Sequence, residues 1–345
     1  MLHNTVEFLA IGDTTLDNFL KIDSEEAHVV CSQKEKEYEL CFSYADKIPV
    51  AEYHTTLGGN SANAAVTAAR MELNTAIWTV VGDDYIGNRT KKEFEKEGIS
   101  TEYLQVDEKI RSKISTVINY KTERTILIYG DHYQYQIPKL SKVDWVYISS
   151  LGKAEDGVYN DIVAWAQEYG VKVVYQPGTF QIRMGWEPVK DLLKMTEIIF
   201  MNLQESEEFL ANPKSEIRNP KQIQNTKFQI QNLLKGLMDF GGRMAVITDG
   251  DKGAYASDGK TIWSQGIDET ISAVEKTGAG DAYSSAFTCA LMKGKAVPEA
   301  MLWGALNSES VIQKIGPQAG ILHLEELEKL RAQGRPRVEI ASCSL

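Results

Sequence analysis

The sequence predicts an α/β protein: a doubly wound, mainly parallel β-sheet with helices on both faces, together with a small β-sheet lid. Two observations predict the large sheet, because short apolar runs recur along the chain and helical patterns separate most of them. A third predicts the lid, because two polar segments with β-like pieces interrupt this alternation. Ligands bind beyond the carboxyl ends of strands in such sheets, so the residues that end each run are candidate site residues.

The predicted strands of the large sheet are apolar runs, most of which end in Gly, Asp, Asn or Ser, and such continuous runs are typical of strands covered on both faces. They are residues 6–11, 75–81, 145–149, 171–175, 197–201 and 244–248. The predicted helices are residues 60–71, 86–97, 156–169, 188–194, 205–210, 230–240 and 324–333. Residues 1–17, 58–110 and 137–334 are therefore expected to form one large α/β domain, and residues 335–345 a peripheral tail.

The two polar segments, residues 18–57 and 111–136, are expected to form the lid. The β-like pieces are residues 28–31 and 38–44 in the first segment, and a hairpin of residues 114–120 and 124–129 in the second. Strands split across two segments predict a small separate sheet, and a sheet over the mouth of a larger domain is a lid. Within the large domain, residues 212–232 repeat Asn-Pro-Lys and Ile-Gln-Asn and predict a polar, exposed insertion.

The chain has 345 residues, of which 43% are hydrophobic and 25% charged, and its net charge is −11. This acidic balance argues against nucleic acid or an anionic membrane as the main partner. No apolar run is long enough to span a membrane, and the N-terminal residues do not resemble a signal peptide, so we expect a cytoplasmic protein. The five histidines and four cysteines show no metal-ligand spacing and are interpreted as structural or surface residues.

The turn formed by Gly278, Ala279, Gly280 and Asp281 is the strongest indication of chemistry. It leads directly into an apolar helical pattern, and unpaired N–H groups at a helix start carry a partial positive charge. Glycines let phosphate oxygens approach that backbone closely, and Asp281 is a candidate base beside it. We interpret this turn as a phosphoryl-transfer site; the structural alternative is a tight turn in which Asp281 caps a core helix.

A second glycine turn, at Gly58 and Gly59, enters a helix of small residues. Asn60 and Asn63 are three residues apart, so both lie near one face of the first turn. Amides both donate and accept hydrogen bonds, which suits the vicinal hydroxyl groups of a sugar. The structural alternative is that Asn60 only caps the helix.

Two further patterns follow predicted strands. Asn202 and Glu205 come after residues 197–201, and a carboxylate there can hold a hydrated Mg²⁺ through its waters; the alternative is a helix cap with an acid in its first turn. Thr248, Gly250 and Gly253 come after residues 244–248, where two glycines could place a nucleotide on exposed backbone. The alternative is a hairpin turn.

Together and in this order, these motifs resemble the ribokinase-like (PfkB-type) carbohydrate kinase family, from about residue 6 to residue 330. Two motifs are specific, namely G-G-N-x-A-N-x-A at residues 58–65 and G-A-G-D at residues 278–281. Supporting matches are Gly12 with Asp17, the G-x-D-x-x-G turn of residues 82–87, the N-x-x-E motif of Asn202 and Glu205, the loop of Thr248, Gly250 and Gly253, Asn307 on a late helix, and the glycine-bearing loop of residues 316–320.

The resemblance implies ATP and Mg²⁺ as the phosphate donor and a hydroxyl of a sugar, expected to be primary, as the acceptor. Asp281 matches the general base, and Gly278, Ala279 and Gly280 match the anion hole. Asp17 matches the sugar-binding aspartate beside Gly58, Gly59, Asn60 and Asn63. Asn202, Thr248, Gly250, Gly253, Thr277 and Asn307 are expected on the nucleotide side; for Asn307, a plain helix-surface amide is the alternative. Glu205 is expected to hold Mg²⁺ through water.

The chain departs from the family pattern in two places. Relatives carry an aspartate before the glycine turn that helps to organise a monovalent cation, whereas this chain carries Glu275, one methylene longer, which puts dependence on K⁺ in doubt. The first lid segment is also longer than in the simplest relatives and could carry a homodimer interface, since exposed strand edges often find partners.

Two other functions stay open on the sequence. A nucleoside kinase (adenosine-type) of the same fold would need an aromatic clamp, for which the lid offers Tyr44, Tyr129, Tyr133 and Tyr135. A catalytically inactive regulator that binds a sugar or nucleotide is the alternative of another class. The intact Asp281 and its glycine turn count against the regulator.

Overall fold

The computed structural model describes residues 5–22, 27–32, 37–120, 123–130, 133, 135–152, 156–211, 226–333 and 340–344. The strands are β1 Phe8–Ile11, β2 Thr15–Lys21, β3 Ala27–Ser32, β4 Glu37–Phe42, β5 Glu52–Gly58, β6 Thr75–Trp78, β7 Val80–Gly82, β8 Gln105–Asp107, β9 Ile114–Tyr120, β10 Glu123–Tyr129, β11 Trp145–Ile148, β12 Lys172–Tyr175, β13 Thr196–Asn202, β14 Ala245–Thr248, β15 Ala254–Ser257, β16 Thr261–Gln265 and β17 Ile340–Ser344. The helices are α1 Asn60–Arg70, α2 Tyr85–Lys96, α3 Asp156–Tyr169, α4 Thr179–Met184, α5 Lys190–Met195, α6 Leu203–Ala211, α7 Thr226–Met238, α8 Ala279–Met292, α9 Val297–Ile312 and α10 Leu324–Ala332.

The large sheet has nine strands among the described residues, in the order β17-β16-β15-β14-β13-β12-β11-β1-β6. The strands from β6 to β14 in this order are parallel, and β15, β16 and β17 continue the sheet in antiparallel pairs. Strands β1, β6 and β11 are buried at every residue, which explains why the sequence shows continuous apolar runs there rather than alternation. The doubly wound, mainly parallel sheet that the sequence predicts is confirmed.

Helices cover both faces of this sheet. On one face the apolar core includes Ile162 of α3, Leu193 of α5 and Leu234 of α7. On the other face it includes Ala286 of α8 and Trp303 of α9, packed with the small residues of α1. The small side chains of α1 let that helix approach α8 closely, which brings the two predicted glycine turns to the same end of the sheet.

The lid is a four-stranded sheet in the order β10-β9-β2-β5, and β3 and β4 form a separate antiparallel pair. Strand alternation divides its residues between two faces. On the outer face, Ile22, Ile118 and Tyr120 pack with Leu40 and Ile48.

The inner face of the lid carries three cross-strand rows, which the pairing register defines. The deep row is Thr56, Asp17, Ser115 and Ile128; the middle row is His54, Phe19, Val117 and Ile126; the rim row is Glu52, Lys21, Asn119 and Arg124. The deep row is polar except for Ile128, the middle row is mostly apolar and the rim row is mostly charged. This face lies over a cavity of about 830 Å³, whose opposite wall includes Glu275 and Lys276.

Three sequence predictions differ from the structure in detail. The predicted strand of residues 75–81 is divided at Thr79, since β6 joins the large sheet whereas β7 pairs with β8. The predicted tail contributes an edge strand, because β17 pairs with β16. Of the predicted insertion, residues 212–225 lie outside the described residues, and residues 226–232 belong to α7. No described helix combines the length and the apolar composition that a membrane span requires.

Candidate active site

Asp281 lies in the first turn of α8, at the end of the large sheet that faces the lid. The helix is preceded by Gly278, whose φ of 81° lies in the left-handed region. A Cβ there would overlap Pro317 Cβ and lie 2.8 Å from its Cα, so only glycine fits this turn. The helix start and the position of Asp281 therefore depend on this one residue.

The amides of two other elements hold the Asp281 carboxylate. Asn63 of α1 donates from Nδ2 to Oδ2 at 2.8 Å, and Gln176, directly after β12, donates from Nε2 to Oδ1 at 3.0 Å. Asn63 in turn accepts at Oδ1 a hydrogen bond of 3.1 Å from Gln318. The side chain of Asp281 is thus fixed in orientation from both sides.

Gln176 is a site residue that the sequence analysis missed. It also accepts hydrogen bonds from Tyr147 and from Ser284 Oγ, the latter at 2.9 Å. The signal was present, since Gln176 is the residue that directly follows the apolar run of residues 171–175. Residues in that position at a carboxyl strand end are candidates by the same rule that indicated Asn202 and Thr248.

The pKa of Asp281 is raised to about 6, and burial is the largest cause. The hydrogen bonds from Asn63 and Gln176 oppose this rise, whereas the carboxylates of Glu205 and Asp17 add to it. The carboxyl group is therefore ionised at neutral pH yet remains basic enough to accept a proton. A base with a pKa near the working pH is the arrangement that general base catalysis favours.

The backbone beside Asp281 has open donors. Within the described residues, the N–H groups of Gly280 and Asp281 have no hydrogen-bond partner, while the N–H of Ala279 donates to the Lys276 carbonyl at 3.3 Å. Apart from its chain neighbours and the backbone of α8, no described heavy atom lies within 4 Å of the place that a Cβ of Gly280 would take. The helix start thus has two free donors and open space beside Gly280, as an anion site requires.

Asp17 reaches the site from the deep row of the lid. It is 5% exposed and accepts hydrogen bonds from Ser115 Oγ at 2.5 Å and Thr15 Oγ1 at 2.6 Å. Burial raises the pKa of Asp17, and the charge of Glu275 also raises it, against these two hydrogen bonds. A Cβ at Gly58 would overlap the Asp17 carboxylate, which explains the glycine at that position.

The second glycine turn has a structural role at two of its residues. Gly59 has a φ of 98° and a Cβ there would overlap the carbonyl oxygen of Asp13. Gly59 is the N-cap of α1, so Asn60 is the first helical residue rather than the cap. Asn63 is 2% exposed, and both ends of its amide are engaged within the protein.

Asn202 and Glu205 bond each other reciprocally. The Glu205 N–H donates to Asn202 Oδ1 and the Asn202 N–H donates to Glu205 Oε2, both at 2.8 Å. This is the capping arrangement of the structural alternative. It leaves Glu205 Oε1 for a water-mediated contact, and burial raises the pKa of this carboxyl group. Among the described residues there is no group of three or more His, Cys, Asp and Glu side chains that could hold a metal ion directly.

The remaining residues predicted on the nucleotide side differ in their surroundings. Gly250, in the short turn after Thr248, has open space around it, whereas a Cβ at Gly253 would overlap the Gln265 carbonyl oxygen. Asn307 is fully buried, donates to the Ala282 carbonyl and accepts from the Leu322 N–H, both at 2.9 Å. Its amide is occupied inside the core, so neither the predicted nucleotide contact nor the surface alternative describes it.

Thr277 and Glu275 form the approach to the glycine turn. Glu275 Oε1 accepts the Thr277 N–H at 2.9 Å and the Thr277 Oγ1–H at 2.6 Å.

Of the predicted lid aromatics, Tyr133 and Tyr135 are buried against Lys113, while Tyr44 and Tyr129 are exposed. They do not converge on a clamp.

A doubly wound sheet, a β-lid and a buried aspartate at a glycine-rich helix start define a phosphotransferase of the sugar-kinase type. The family model "pfkB family carbohydrate kinase" matches residues 26–324, and the chain belongs to that family. Its members include kinases that phosphorylate sugar hydroxyls, so this chain is a sugar or nucleoside kinase with an alcohol acceptor.

Individual relatives are distant in sequence. The chain is 24% identical over 303 residues to an ATP-dependent 6-phosphofructokinase of Thermoanaerobacterium thermosaccharolyticum, covering 84% of this chain and 88% of that protein. It is 26% identical over 277 residues to a ribokinase of Haemophilus influenzae, covering 78% and 85%. Arabidopsis thaliana ribokinase, solved with ribose and ATP, superposes with a TM-score of 0.74 at 18% identity over 94% of this chain and 98% of that one. A Methanocaldococcus jannaschii nucleoside kinase superposes with the same score and identity over 95% and 98%.

Proposed function

We propose that the protein transfers the γ-phosphoryl group of ATP to a hydroxyl group, most simply a primary one, of a sugar or sugar derivative. The observation that carries the proposal is the buried Asp281 carboxylate, oriented by two amides and lying beside the open N–H groups of Gly280 and Asp281. A base and an anion site within one helical turn are what phosphoryl transfer to an alcohol needs. The distant relatives that are named as sugar kinases support the same reaction.

In this proposal Asp281 accepts the proton of the acceptor hydroxyl as its oxygen forms a bond to the γ-phosphorus. The bond between that phosphorus and the bridging oxygen breaks, and the electron pair leaves with ADP. The N–H groups at the start of α8 stabilise the charge on the transferred group, with Gly278 and Gly280 allowing its close approach. The acceptor side is formed by Asp17, Gly58, Gly59 and Asn60, and Asn63 holds the base.

On the nucleotide side, ATP binds to the backbone around Asn202, Thr248, Gly250 and Thr277. Mg²⁺, when bound with ATP, supplies positive charge that offsets the phosphate oxygens. Glu205 fits a water-mediated role in holding it, since Oε1 remains after the helix cap is made. Gly253 supports the loop through its packing rather than through a ligand contact.

A homodimer that uses the lid belongs to the same proposal. Large apolar side chains are exposed on β10, which is an edge strand of the lid among the described residues; they are Leu127, Ile128 and Tyr129. An exposed apolar edge strand is a template for pairing with another chain. A second copy of this chain fits, since it would offer the same edge and the same side chains.

The experiment that tests the proposed reaction is a screen for ADP release with ATP and Mg²⁺ against pentoses, hexoses, keto-sugar acids, sugar phosphates and nucleosides. We expect at least one acceptor, and Asp281→Asn to lower its kcat by about 10²-fold or more, the typical contribution of a general base. The control is the melting temperature and ATP affinity of the same variant, which should stay near those of the wild type. ATP binding without turnover of any acceptor would support the inactive regulator instead, and full activity of Asp281→Asn would exclude this base.

A further inference from the structure

Glu275 is a buried carboxylate whose hydrogen bonding is incomplete. The residue is 8% exposed, and its Oε1 accepts two hydrogen bonds from Thr277. Its Oε2 is buried without a hydrogen-bond partner in the part of the chain that the structure describes. A buried carboxylate needs a positive partner, because the loss of hydration is otherwise uncompensated. The nearby Asp17 carboxylate increases this need, since the two charges repel each other.

The positive group that faces Glu275 comes from the lid. Arg124 of β10 lies in the rim row, and its Nη1 is 3.7 Å from Glu275 Oε1 across the cavity. The guanidinium group is a planar fork with several donors, so an approach of about 1 Å would let it bond a carboxylate with both oxygens. Lys276 also lines the cavity, but its side chain is exposed, next to Glu275 in sequence.

This arrangement does not fit a free monovalent cation at Glu275. A cation such as K⁺ bound at the open oxygen would lie close to the guanidinium group, and like charges at such separations repel. The positive charge that relatives are expected to obtain from a free ion is present here as a side chain. The methylene that distinguishes Glu275 from an aspartate lengthens its reach toward the lid.

We propose that Arg124 is a positioning residue that supplies the positive charge at Glu275 in place of a monovalent cation. It acts through Glu275, which holds the Thr277 backbone, and Thr277 directly precedes Gly278 at the start of α8. The lid carries this charge, so closure of the lid and ordering of the phosphoryl-transfer turn are one event. The catalytic consequence rests on the proposed function; the pairing and the ion independence do not.

The test compares the wild type with Arg124→Ala in KCl, NaCl and tetramethylammonium chloride at equal ionic strength. The first readout is the melting temperature, which requires no acceptor. We expect the wild type to melt at the same temperature in all three salts, and Arg124→Ala to melt lower and to be stabilised by K⁺ specifically. Lys47→Ala is the control, since it removes one exposed positive charge from the lid at a position that does not line the cavity. It should behave as the wild type does.

The second readout is kcat with any acceptor found in the screen. Arg124→Ala should lose about tenfold, an effect of the size of a lost charged contact, and recover in part with K⁺, while Arg124→Lys should retain more activity. A several-fold K⁺ stimulation of the wild type, or an Arg124→Ala variant that matches Lys47→Ala in every salt, would overturn the proposal. If no acceptor is found, the proposed function fails while the melting series still decides the role of Arg124.

Discussion

At the scale of single residues, the site depends on the balance of forces at Asp281. Burial raises the pKa of this carboxyl group to about 6, and the hydrogen bonds from Asn63 and Gln176 hold it from rising further. Each amide thus has two effects, since it orients the carboxylate and stabilises its charged form.

The balance predicts an acidic limb in the pH profile. Asp281 must be ionised to accept a proton, so kcat/KM is expected to be full well above pH 6 and to fall to half near pH 6 as the pH drops. Gln176→Met removes a hydrogen bond to the charged form, which raises the pKa of Asp281 and moves the limb to higher pH. The activity lost by the variant should therefore be greater at pH 6 than at pH 8.5.

The measurement is kcat/KM across that range for the wild type and Gln176→Met. Gln333→Met, at an exposed position after α10, is the matched control and should keep the wild-type limb. If Gln176→Met keeps the midpoint of the wild-type acidic limb, the Gln176 amide orients Asp281 but does not change its pKa.

At the scale of elements, α8 is bounded by two glycines with nearly the same positive φ. Gly278 before the helix has a φ of 81°, and Gly294 after it has a φ of 75°. Their surroundings differ, because a Cβ at Gly278 would overlap Pro317, whereas no described atom lies within 4 Å of a Cβ at Gly294. Alanine at Gly294 would therefore show the cost of a left-handed backbone alone, and alanine at Gly278 would show that cost together with the cost of the close contact with Pro317.

Gly294→Ala is expected to lower the free energy of unfolding by about 1 kcal/mol, the cost of the left-handed conformation for alanine. Gly278→Ala should cost a further 1–3 kcal/mol, roughly the cost of overpacking, and should also lower kcat because the start of α8 shifts. Urea unfolding of both variants measures the difference. Equal losses in the free energy of unfolding would mean that the loop of Pro317 moves at no cost to make room for the added Cβ.

At the scale of the whole molecule, the chain passes between the large domain and the lid at one buried cluster. Asp13 follows β1, Lys113 precedes β9, and Tyr133 and Tyr135 follow β10. Lys113 pairs with Asp13, to which Tyr135 also donates, and its Nζ lies 4.4 Å from the centre of the Tyr133 ring. Burial raises the pKa of Asp13 despite this ion pair, so the carboxylate depends strongly on its partner.

Removing one partner of this pair should be costly. Lys113→Met leaves Asp13 buried without its counter-charge, and we expect a loss of roughly 3–5 kcal/mol in the free energy of unfolding. The double variant Lys113→Met with Asp13→Asn should recover part of that loss, since the uncompensated charge is then absent. Denaturant unfolding of the single and double variants checks this. A double variant less stable than Lys113→Met would contradict it.

The lid dimer is also a property of the whole molecule. Leu127→Glu places a charge on the proposed interface, and we expect it to shift the protein to monomers in sedimentation velocity runs over a range of concentrations. Val106→Glu is the control, because Val106 is 55% exposed, close to the 56% of Leu127, but lies on β8 of the large domain. Monomeric wild-type protein at all concentrations would refute the dimer.

The sequence predicts the central sheet well, because strands buried on both faces need uninterrupted apolar runs. It predicts the edge poorly: β17 has no such run, and its place becomes visible only through its pairing with β16. Within the site, glycines and Asp281 are indicated by local motifs. Arg124 and the burial of Asn307 are not, because their partners are distant in sequence and local spacing carries no information about them.

The three rows on the inner face of the lid have a consequence for how this protein can vary. Side chains alternate along β2, so inserting or deleting one residue within that strand would turn Asp17 and Phe19 outward and bring Asn18 and Leu20 into the cleft. Insertions and deletions in the lid therefore preserve the inner face when they fall at the tips of its loops, and they disrupt that face when they fall inside its strands. Descendants of this chain could acquire new acceptors by exchanging side chains within a row, but not by sliding the strand.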